Sequence, residues 1–267
     1  MKYGCKLSKF DIRDYKLDSS IIASYDFPTE YVSNHLVRVK NQNEVLSCVA
    51  HALSTILEYH TYPNTVKLST NFIYGIQKEL FNRDSTGMYL SDACKIALEY
   101  GDMLEVECPG NTEVPLCHSI ASAAMRDKNK VENAYNHHIF AYYSCKSNDE
   151  IKYSIIHHGP VLASIKWSSL YRVNKDGVLN GKMSEDAEYH AIVVYGYNEK
   201  GFLCQNSWGS NWGNGGRFIL PYDISFSEAR GIIDCEDHGE DIQKTNRGFL
   251  WNIIYKIINF IVNLIKK

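Results

Sequence analysis

Several features that assign a chain to a function class are missing from this sequence. The first 20 residues contain no apolar core of the length found in secretory signal peptides, so we expect an intracellular protein. The net charge is only −3, and no basic run is interleaved with aromatic residues, which disfavours nucleic acid as a partner. The eight cysteines include no Cys-x-x-Cys pair, which argues against structural zinc and for free thiols in a reducing compartment. We therefore expect neither a metal nor another cofactor.

The chain does contain enough apolar material for a folded core. Its 267 residues are 45% hydrophobic, which fits one large domain or two smaller lobes. The apolar periodicity predicts helices at 48–59, 68–81, 90–100, 119–127 and 149–157, and strands at 138–144, 160–167, 191–198, 201–209 and 217–222. A mainly helical half followed by a strand-rich half predicts an α+β fold in which two lobes face each other.

A cysteine stands at the start of the most strongly apolar helical pattern. The apolar residues that recur there at three- and four-residue steps are Val49, Ala52, Leu53, Ile56 and Leu57. Ser47 is a favourable cap residue, which puts Cys48 in the first turn, where free N–H groups and the helix dipole favour a thiolate. A cysteine chosen at random is more often a small buried residue, so this position alone assigns no chemistry.

Three polar residues elsewhere in the chain complete the requirements of a thiol nucleophile. Such a nucleophile needs a base, a group that orients the base, and donors for a developing oxyanion. His190 opens an apolar strand and is the candidate base, while Asn206 is the candidate orienting group. Gln42 lies six residues before Cys48 and is the candidate oxyanion donor, together with the Cys48 backbone N–H. Each residue alone has a plain structural explanation, and only the set points to catalysis.

These residues lie in motifs that resemble the papain family of cysteine peptidases. The matching pieces are VKNQ at 39–42, SC at 47–48 followed by Ala50, HA at 190–191, VYGY at 194–197 and NSWGSNWGNGG at 206–216. Their order and spacing also match, over roughly residues 36–222. The resemblance implies a papain-like α+β fold, with a helical lobe, an antiparallel β-barrel-like lobe and an active-site cleft between them.

The same resemblance implies an activity and a role for each residue. The activity is that of a cysteine-type endopeptidase that forms a thioester with its substrate. Cys48 would be the nucleophile, His190 the general base and acid, Asn206 the orienting residue and Gln42 the oxyanion donor. Trp208 would shield the hydrogen bond between His190 and Asn206 from water. The residues expected to border or line the substrate site are Gly87, Ser164, Tyr189, Ala191 and Trp208.

The sequence departs from the family pattern around the nucleophile. Residues 43–46 replace the glycine and second cysteine that are common there, so the usual disulfide cannot form. Val49 replaces a tryptophan, Tyr189 replaces an aspartate or asparagine, and we expect no long inhibitory pro-segment. These differences leave two alternatives open. One is a catalytically silent or autoinhibited papain-like binding protein, and the other is a peptidoglycan amidohydrolase, which the NSWG motif disfavours.

The predicted domain organisation has four parts. Residues 1–35 form an N-terminal arm, either packed on the body or lying across the cleft like a pro-segment. Residues 36–230 form the catalytic domain, with a helical lobe at about 40–135 and a β lobe at about 136–230. An acidic linker at 231–248 precedes an amphipathic helix at 249–267, which would lie on a membrane surface or dock on protein, including a second copy. The other expected partner is a protein or peptide substrate.

Overall fold

The computed structural model of the chain describes residues 3–9, 15–17, 19–82, 86–110 and 113–234. They belong to one unit, Met1–Asp234, whereas the second unit, Cys235–Lys267, lies outside the described residues. The predicted helix at 249–267 and the linker beyond Asp234 therefore also lie outside them. Within the described ranges, no helix is long and apolar enough to cross a membrane.

The described residues form helices mainly in the first half and strands mainly in the second. The helices are α1 Ser19–Ala23, α2 Cys48–His60, α3 Thr70–Phe81, α4 Leu90–Glu99, α5 Val114–Met125, α6 Lys128–Tyr135 and α7 Asn148–His158. The strands are β1 Cys5–Lys6, β2 Tyr15–Lys16, β3 Tyr31–Val32, β4 Met88–Tyr89, β5 Ile139–Ser144, β6 Val161–Trp167, β7 Arg172–Val173, β8 Leu179–Asn180, β9 Glu188–Asn198, β10 Gly201–Gln205, β11 Arg217–Leu220 and β12 Phe226–Asp234.

The helical lobe begins where the sequence predicts it. Helix α2 starts at Cys48, but the Ser47 side chain makes no capping hydrogen bond and instead lies 3.1 Å from Nδ1 of His51. Helix α3 begins at Thr70 and is capped by Ser69, which accepts a hydrogen bond from the Phe72 N–H. The short helix predicted at 119–127 is in fact α5, which begins earlier, and α6 was not predicted. The eight residues of α6 are mostly polar, and Ala134 is its one buried residue.

The β lobe is built on one eight-stranded sheet. Its strand order is β11-β10-β9-β6-β12-β5-β2, with β3 paired to β9, and the pairs are antiparallel except β2 with β5. Strand β12 lies between β6 and β5 and runs to Asp234, so assigning residues 231–234 to the linker was wrong. Gly231 and Ile232 are buried and pair with Tyr143 and Tyr142 of β5, a long-range contact that the local sequence does not reveal.

The buried side chains form two groups, of which the first joins the lobes. The first joins α2, α3 and α4 to the sheet through residues such as Leu53, Phe72 and Val193. The second lies within the β lobe around Trp167 and Phe202. The predicted α+β fold with a helical lobe and a β lobe is confirmed, and the start of α2 faces the start of β9 at the seam.

Candidate active site

Cys48 is the first residue of α2 and is completely buried. Its Sγ atom accepts a 3.5 Å hydrogen bond from the backbone N–H of Ala191, which places the sulfur beside strand β9. Burial raises the pKa of the Cys48 thiol to about 11, against the opposing effect of hydrogen bonds from backbone groups that include Ala191 and Gly4. The expected thiolate at a helix start is therefore not favoured in this conformation, because desolvation outweighs the donors.

His190 is equally buried and lies next to Ala191 in β9. Its Nε2 atom is 2.7 Å from Oδ1 of Asn206, so a neutral ring donates from Nε2 and keeps its lone pair on Nδ1. Within the described part of the chain, Nδ1 has no hydrogen-bond partner. Burial lowers the pKa of His190 to about 4, although the bond to Asn206 acts in the other direction. The imidazole ring of His190 is thus neutral, and the lone pair on its Nδ1 atom is free to accept a proton or a hydrogen bond.

Aromatic side chains enclose this histidine. The Trp208 ring stacks on the His190 ring, with centroids 4.5 Å apart and an interplanar angle of 26°. Trp167 meets the same imidazole edge-on, at a centroid distance of 5.4 Å. These rings pack around the imidazole that hydrogen-bonds to Asn206, and the shielding role that the sequence predicts for Trp208 stays a prediction.

Gln42 is buried in the turn before α2 and is held at both ends of its amide. Its Oε1 atom accepts a 2.6 Å hydrogen bond from the Ser207 hydroxyl, and its Nε2 atom donates to the carbonyl oxygen of Val45 at 2.8 Å. The Gln42 backbone N–H also donates to the Ser207 carbonyl oxygen at 2.8 Å. Sequence reasoning missed Ser207, although it lies between Asn206 and Trp208 within the motif that was recognised.

Three of the residues expected at the substrate site lie in neighbouring strands of the sheet. Ser164 and Ala191 are directly opposite each other in β6 and β9, and both are buried. Tyr189 is half-buried and lies on the same face of β9 as Ala191, since strand side chains alternate. Gly87 precedes β4 in the helical lobe with a φ of +101°, a conformation that favours glycine.

Two other histidines hydrogen-bond to backbone carbonyl oxygens and hold the fold together rather than the site. His51, one turn after Cys48, directs Nδ1 to the carbonyl oxygen of Ser47 at 3.0 Å, and burial lowers its pKa to about 4. His137 directs Nδ1 to the carbonyl oxygen of Asp102 at 3.0 Å. Across the described ranges, no group of three or more His, Cys, Asp or Glu side chains is placed to hold a metal ion.

Part of the predicted N-terminal arm lies against this site. Strand β1 pairs in parallel with β4, immediately after Gly87. The Tyr3 ring meets the rings of His190 and Trp208 edge-on, with centroid distances of 5.9 and 6.0 Å. Of the two placements expected for the arm, the described segment at residues 3–8 takes the one at the cleft.

Comparisons with known proteins agree with this architecture. The chain is 28% identical to cathepsin B-like cysteine proteinase 1 of Haemonchus contortus over 139 residues, which is 49% of this chain and 40% of that protein. It is 26% identical to procathepsin L of Felis catus over 204 residues, which is 71% of this chain and 58% of that protein. The chain thus spans about half the length of these curated relatives.

The fold is similar to that of solved structures. Xylellain, a cysteine protease from Xylella fastidiosa, superimposes with a TM-score of 0.72 at 22% identity, covering 88% of this chain and 96% of that one. The family model described as papain family cysteine protease matches residues 23–232, which is most of the chain and includes every residue of the candidate site. The chain therefore belongs to the papain family of cysteine proteases.

Proposed function

We propose that this protein is a cysteine-type endopeptidase in which Cys48, His190 and Asn206 act as a triad. The observation that supports this most directly is the 2.7 Å hydrogen bond between His190 Nε2 and Asn206 Oδ1. It selects the tautomer whose Nδ1 lone pair can take a proton, next to the residue whose N–H meets Cys48 Sγ at 3.5 Å. Family membership supports the same reaction class.

The reaction follows from these positions. Nδ1 of His190 takes the proton from Cys48, and the thiolate sulfur attacks the carbonyl carbon of the peptide bond. The resulting oxyanion accepts hydrogen bonds from the Cys48 N–H and the Gln42 amide. The imidazolium then gives its proton to the leaving amine, which departs and leaves a thioester. Water attacks the thioester with His190 as base, and the released thiol recovers its proton. Asn206 orients the ring throughout.

The substrate is a protein or peptide. Gly87 offers its backbone to the bound chain, while Ser164, Ala191 and Tyr189 contact its side chains. The alternative of a binding protein without catalysis has no support among the relatives, which are named as proteases. An intracellular location, the predicted linker and association of residues 249–267 with a membrane surface or a second copy stay predictions.

The proposal is tested by hydrolysis of a peptide library and by labelling with an electrophilic thiol probe. Both are measured on the full chain and on a variant without residues 1–9, because residues 3–8 lie beside the site. Cys48→Ala is expected to abolish hydrolysis and probe labelling together. Cys204→Ala, which removes another buried free thiol, is the matched control and should retain both. Hydrolysis that survives in Cys48→Ala would reject the proposed nucleophile.

A further inference from the structure

Arg217 joins three separate segments of the chain beside the candidate active site. It is the first residue of β11, and its Nε atom donates a 3.1 Å hydrogen bond to Oε1 of Gln205, its cross-strand partner in β10. Its Nη2 atom donates to the carbonyl oxygen of Val37 at 3.0 Å. Gln205 is buried, and its own Nε2 atom donates to the carbonyl oxygen of Arg38 at 3.1 Å. One guanidinium and one amide thus hold segment 37–42 against the end of β10.

Segment 37–42 leads directly to the candidate oxyanion donor, Gln42. The Lys40 carbonyl oxygen accepts from the Gly209 N–H at 3.0 Å, and the Gln42 N–H donates to the Ser207 carbonyl oxygen at 2.8 Å. The segment is therefore bonded to the loop after β10 as well as to the guanidinium. The position of Gln42 relative to the β lobe depends on both sets of bonds.

Arg217 also borders the candidate orienting residue, Asn206. Gln205 immediately precedes Asn206, and the Asn206 N–H donates to the carbonyl oxygen of Gly216 at 2.9 Å. The backbone N–H and carbonyl oxygen of Arg217 bond the carbonyl oxygen and N–H of Asn214 at 3.2 and 2.9 Å, which closes the turn that carries Gly216. The main chain at Asn206 is therefore held by the two residues that adjoin it and Arg217.

The Asn206 side chain depends on that main chain for its direction. Its Oδ1 atom lies 2.7 Å from Nε2 of His190 and accepts the Ser207 N–H at the same distance. Among the residues that the structure describes, its Nδ2 atom has no hydrogen-bond partner. An amide that is held at one end follows the movement of its backbone, and hydrogen bonds weaken as their angles depart from linearity. A shift of the Asn206 backbone would therefore weaken the bond to His190.

We propose that Arg217 is a positioning residue for the peptidase reaction. Through Gln205 and the adjoining backbone, it sets Asn206 and Gln42 in register with each other. A guanidinium suits this role because its donors are fixed in one plane, so the acceptors bonded to it keep a constant separation. The side chain thus controls both the direction of the catalytic imidazole and the placement of the oxyanion donor. This inference rests on the proposed function and adds a residue to the same site.

The first test is the steady-state hydrolysis of a peptide by Arg217→Met, which removes both guanidinium bonds and keeps an apolar stem. We expect kcat to fall about tenfold or more, which is the effect of losing two ordinary hydrogen bonds. KM should change by less than about twofold, because an orienting group and an oxyanion donor act mainly in the transition state. The full chain and the variant without residues 1–9 are measured in parallel.

Tyr222→Phe is the matched control. It also removes a side-chain donor to a main-chain carbonyl of the β lobe, since the Tyr222 hydroxyl donates to the Asn198 carbonyl oxygen at 2.8 Å. Asn198 lies at the opposite end of β9 from His190. The control should keep kcat within about twofold of the wild type. Urea denaturation of both variants establishes that they are folded in the assay.

The second test uses a property that a purely structural role would not change, the rate at which iodoacetamide alkylates Cys48. Mass spectrometry of the peptide that carries Cys48 measures it. Burial lowers the pKa of His190, and the bond to Asn206 opposes this by raising it. If Asn206 shifts, His190 becomes a weaker base and less thiolate forms. We therefore expect alkylation to slow about threefold or more in Arg217→Met and to stay unchanged in Tyr222→Phe.

Two further variants keep the test decisive if Arg217→Met does not fold. Arg217→Lys keeps the charge without the planar fork, and it should lower kcat by an intermediate factor. Gln205→Met removes the bonds to Arg217 and Arg38 together, and it should lower kcat as Arg217→Met does. If the folded variants keep kcat and the alkylation rate within about twofold of the wild type, the proposal is overturned.

The two proposals fail in different ways. If Arg217→Met hydrolyses peptides as fast as the wild type, the positioning role is rejected and the peptidase stands. If no form of the protein hydrolyses any peptide, but alkylation of Cys48 slows in Arg217→Met and not in Tyr222→Phe, the influence of Arg217 on the site stands and the peptidase is rejected.

Discussion

The hydroxyl of Ser207 donates a 2.6 Å hydrogen bond to Oε1 of Gln42, across 165 positions of the sequence. The bond joins the turn before α2 to the loop that carries Asn206. It leaves the Gln42 Nε2 as the donor end of the amide, which bonds the Val45 carbonyl oxygen. The geometry therefore links the candidate oxyanion donor to the residue next to the candidate orienting group.

We expect Ser207→Ala to lower kcat about 2- to 10-fold with little change in KM. The variant removes one hydrogen bond that holds the Gln42 amide in place, and such a bond contributes about 0.5–1.5 kcal/mol. The loss falls on kcat because an oxyanion donor acts mainly in the transition state. Steady-state kinetics on a peptide substrate, with the variant lacking residues 1–9 as parent, provide the measurement.

A double-mutant cycle separates this role from a structural one. If Ser207 acts through Gln42, then Ser207→Ala should have no further effect on kcat in a Gln42→Ala background. Additive losses in the cycle would show that Ser207 acts by another route.

Glu58 anchors a buried ionic network behind the site. Its Oε1 atom lies 3.0 Å from Nζ of Lys40 and 3.1 Å from the Arg38 guanidinium, and it accepts the Leu68 N–H at 2.9 Å. Lys40 is buried and its carbonyl oxygen accepts the Gly209 N–H at 3.0 Å. The network thus ties α2 to the segment that leads into Gln42.

We expect Glu58→Gln to lower the free energy of unfolding by about 3 kcal/mol, because it leaves the Lys40 charge buried without its partner. Urea denaturation at pH 7 measures this loss. Glu105→Gln is the matched control, since Glu105 also pairs with Arg38 but its side chain is 44% exposed. That control should change stability by no more than about 0.5 kcal/mol. A loss below about 1 kcal/mol in Glu58→Gln would contradict the account.

Stability should fall as the pH drops from 6.5 toward 4. Burial lowers the pKa of His51 from 6.5 to about 4, and the charges of Lys40 and Arg38 lower it further, while the backbone groups of Ser47 and Asn41 act in the opposite direction. The unfolded histidine binds a proton below pH 6.5, whereas the folded one does so only below about 4. The unfolded state therefore binds more protons throughout this window, and folding becomes less favourable as the pH falls.

At ~1.4 kcal/mol per pKa unit, the His51 contribution lost by pH 4 is on the order of 3 kcal/mol. Urea denaturation at several pH values between 4 and 7 measures it. Burial also lowers the pKa of His190, so His190 adds a similar loss of stability at low pH. The contribution of His51 is therefore the difference between the pH-dependent unfolding free energies of the wild type and of His51→Gln. The variant should lose less stability on acidification. If the unfolding free energies of the two proteins fall equally between pH 7 and pH 4, His51 is excluded as a source of the pH dependence.

Local sequence patterns predicted much of the helical lobe. The start of α2 at Cys48 and the cap of α3 at Ser69 follow from apolar spacing and residue type, which act within a few residues. Helix α6 was missed because its eight residues are mostly polar and only Ala134 is buried there. The end of β12 was missed because it is held by pairing with β5, a segment distant in the sequence.

The sequence by itself determined which residues can do thiol chemistry, since Cys48, His190 and Asn206 are recognisable from motifs and residue types. Only the tertiary structure decided whether these side chains are charged and which hydrogen bonds they make. The hydrogen bond that leaves His190 Nδ1 free, the link from Ser207 to Gln42 and the packing of Tyr3 on His190 depend on contacts between distant segments. Such contacts also decide whether a thiol is charged, because desolvation depends on what folds over it.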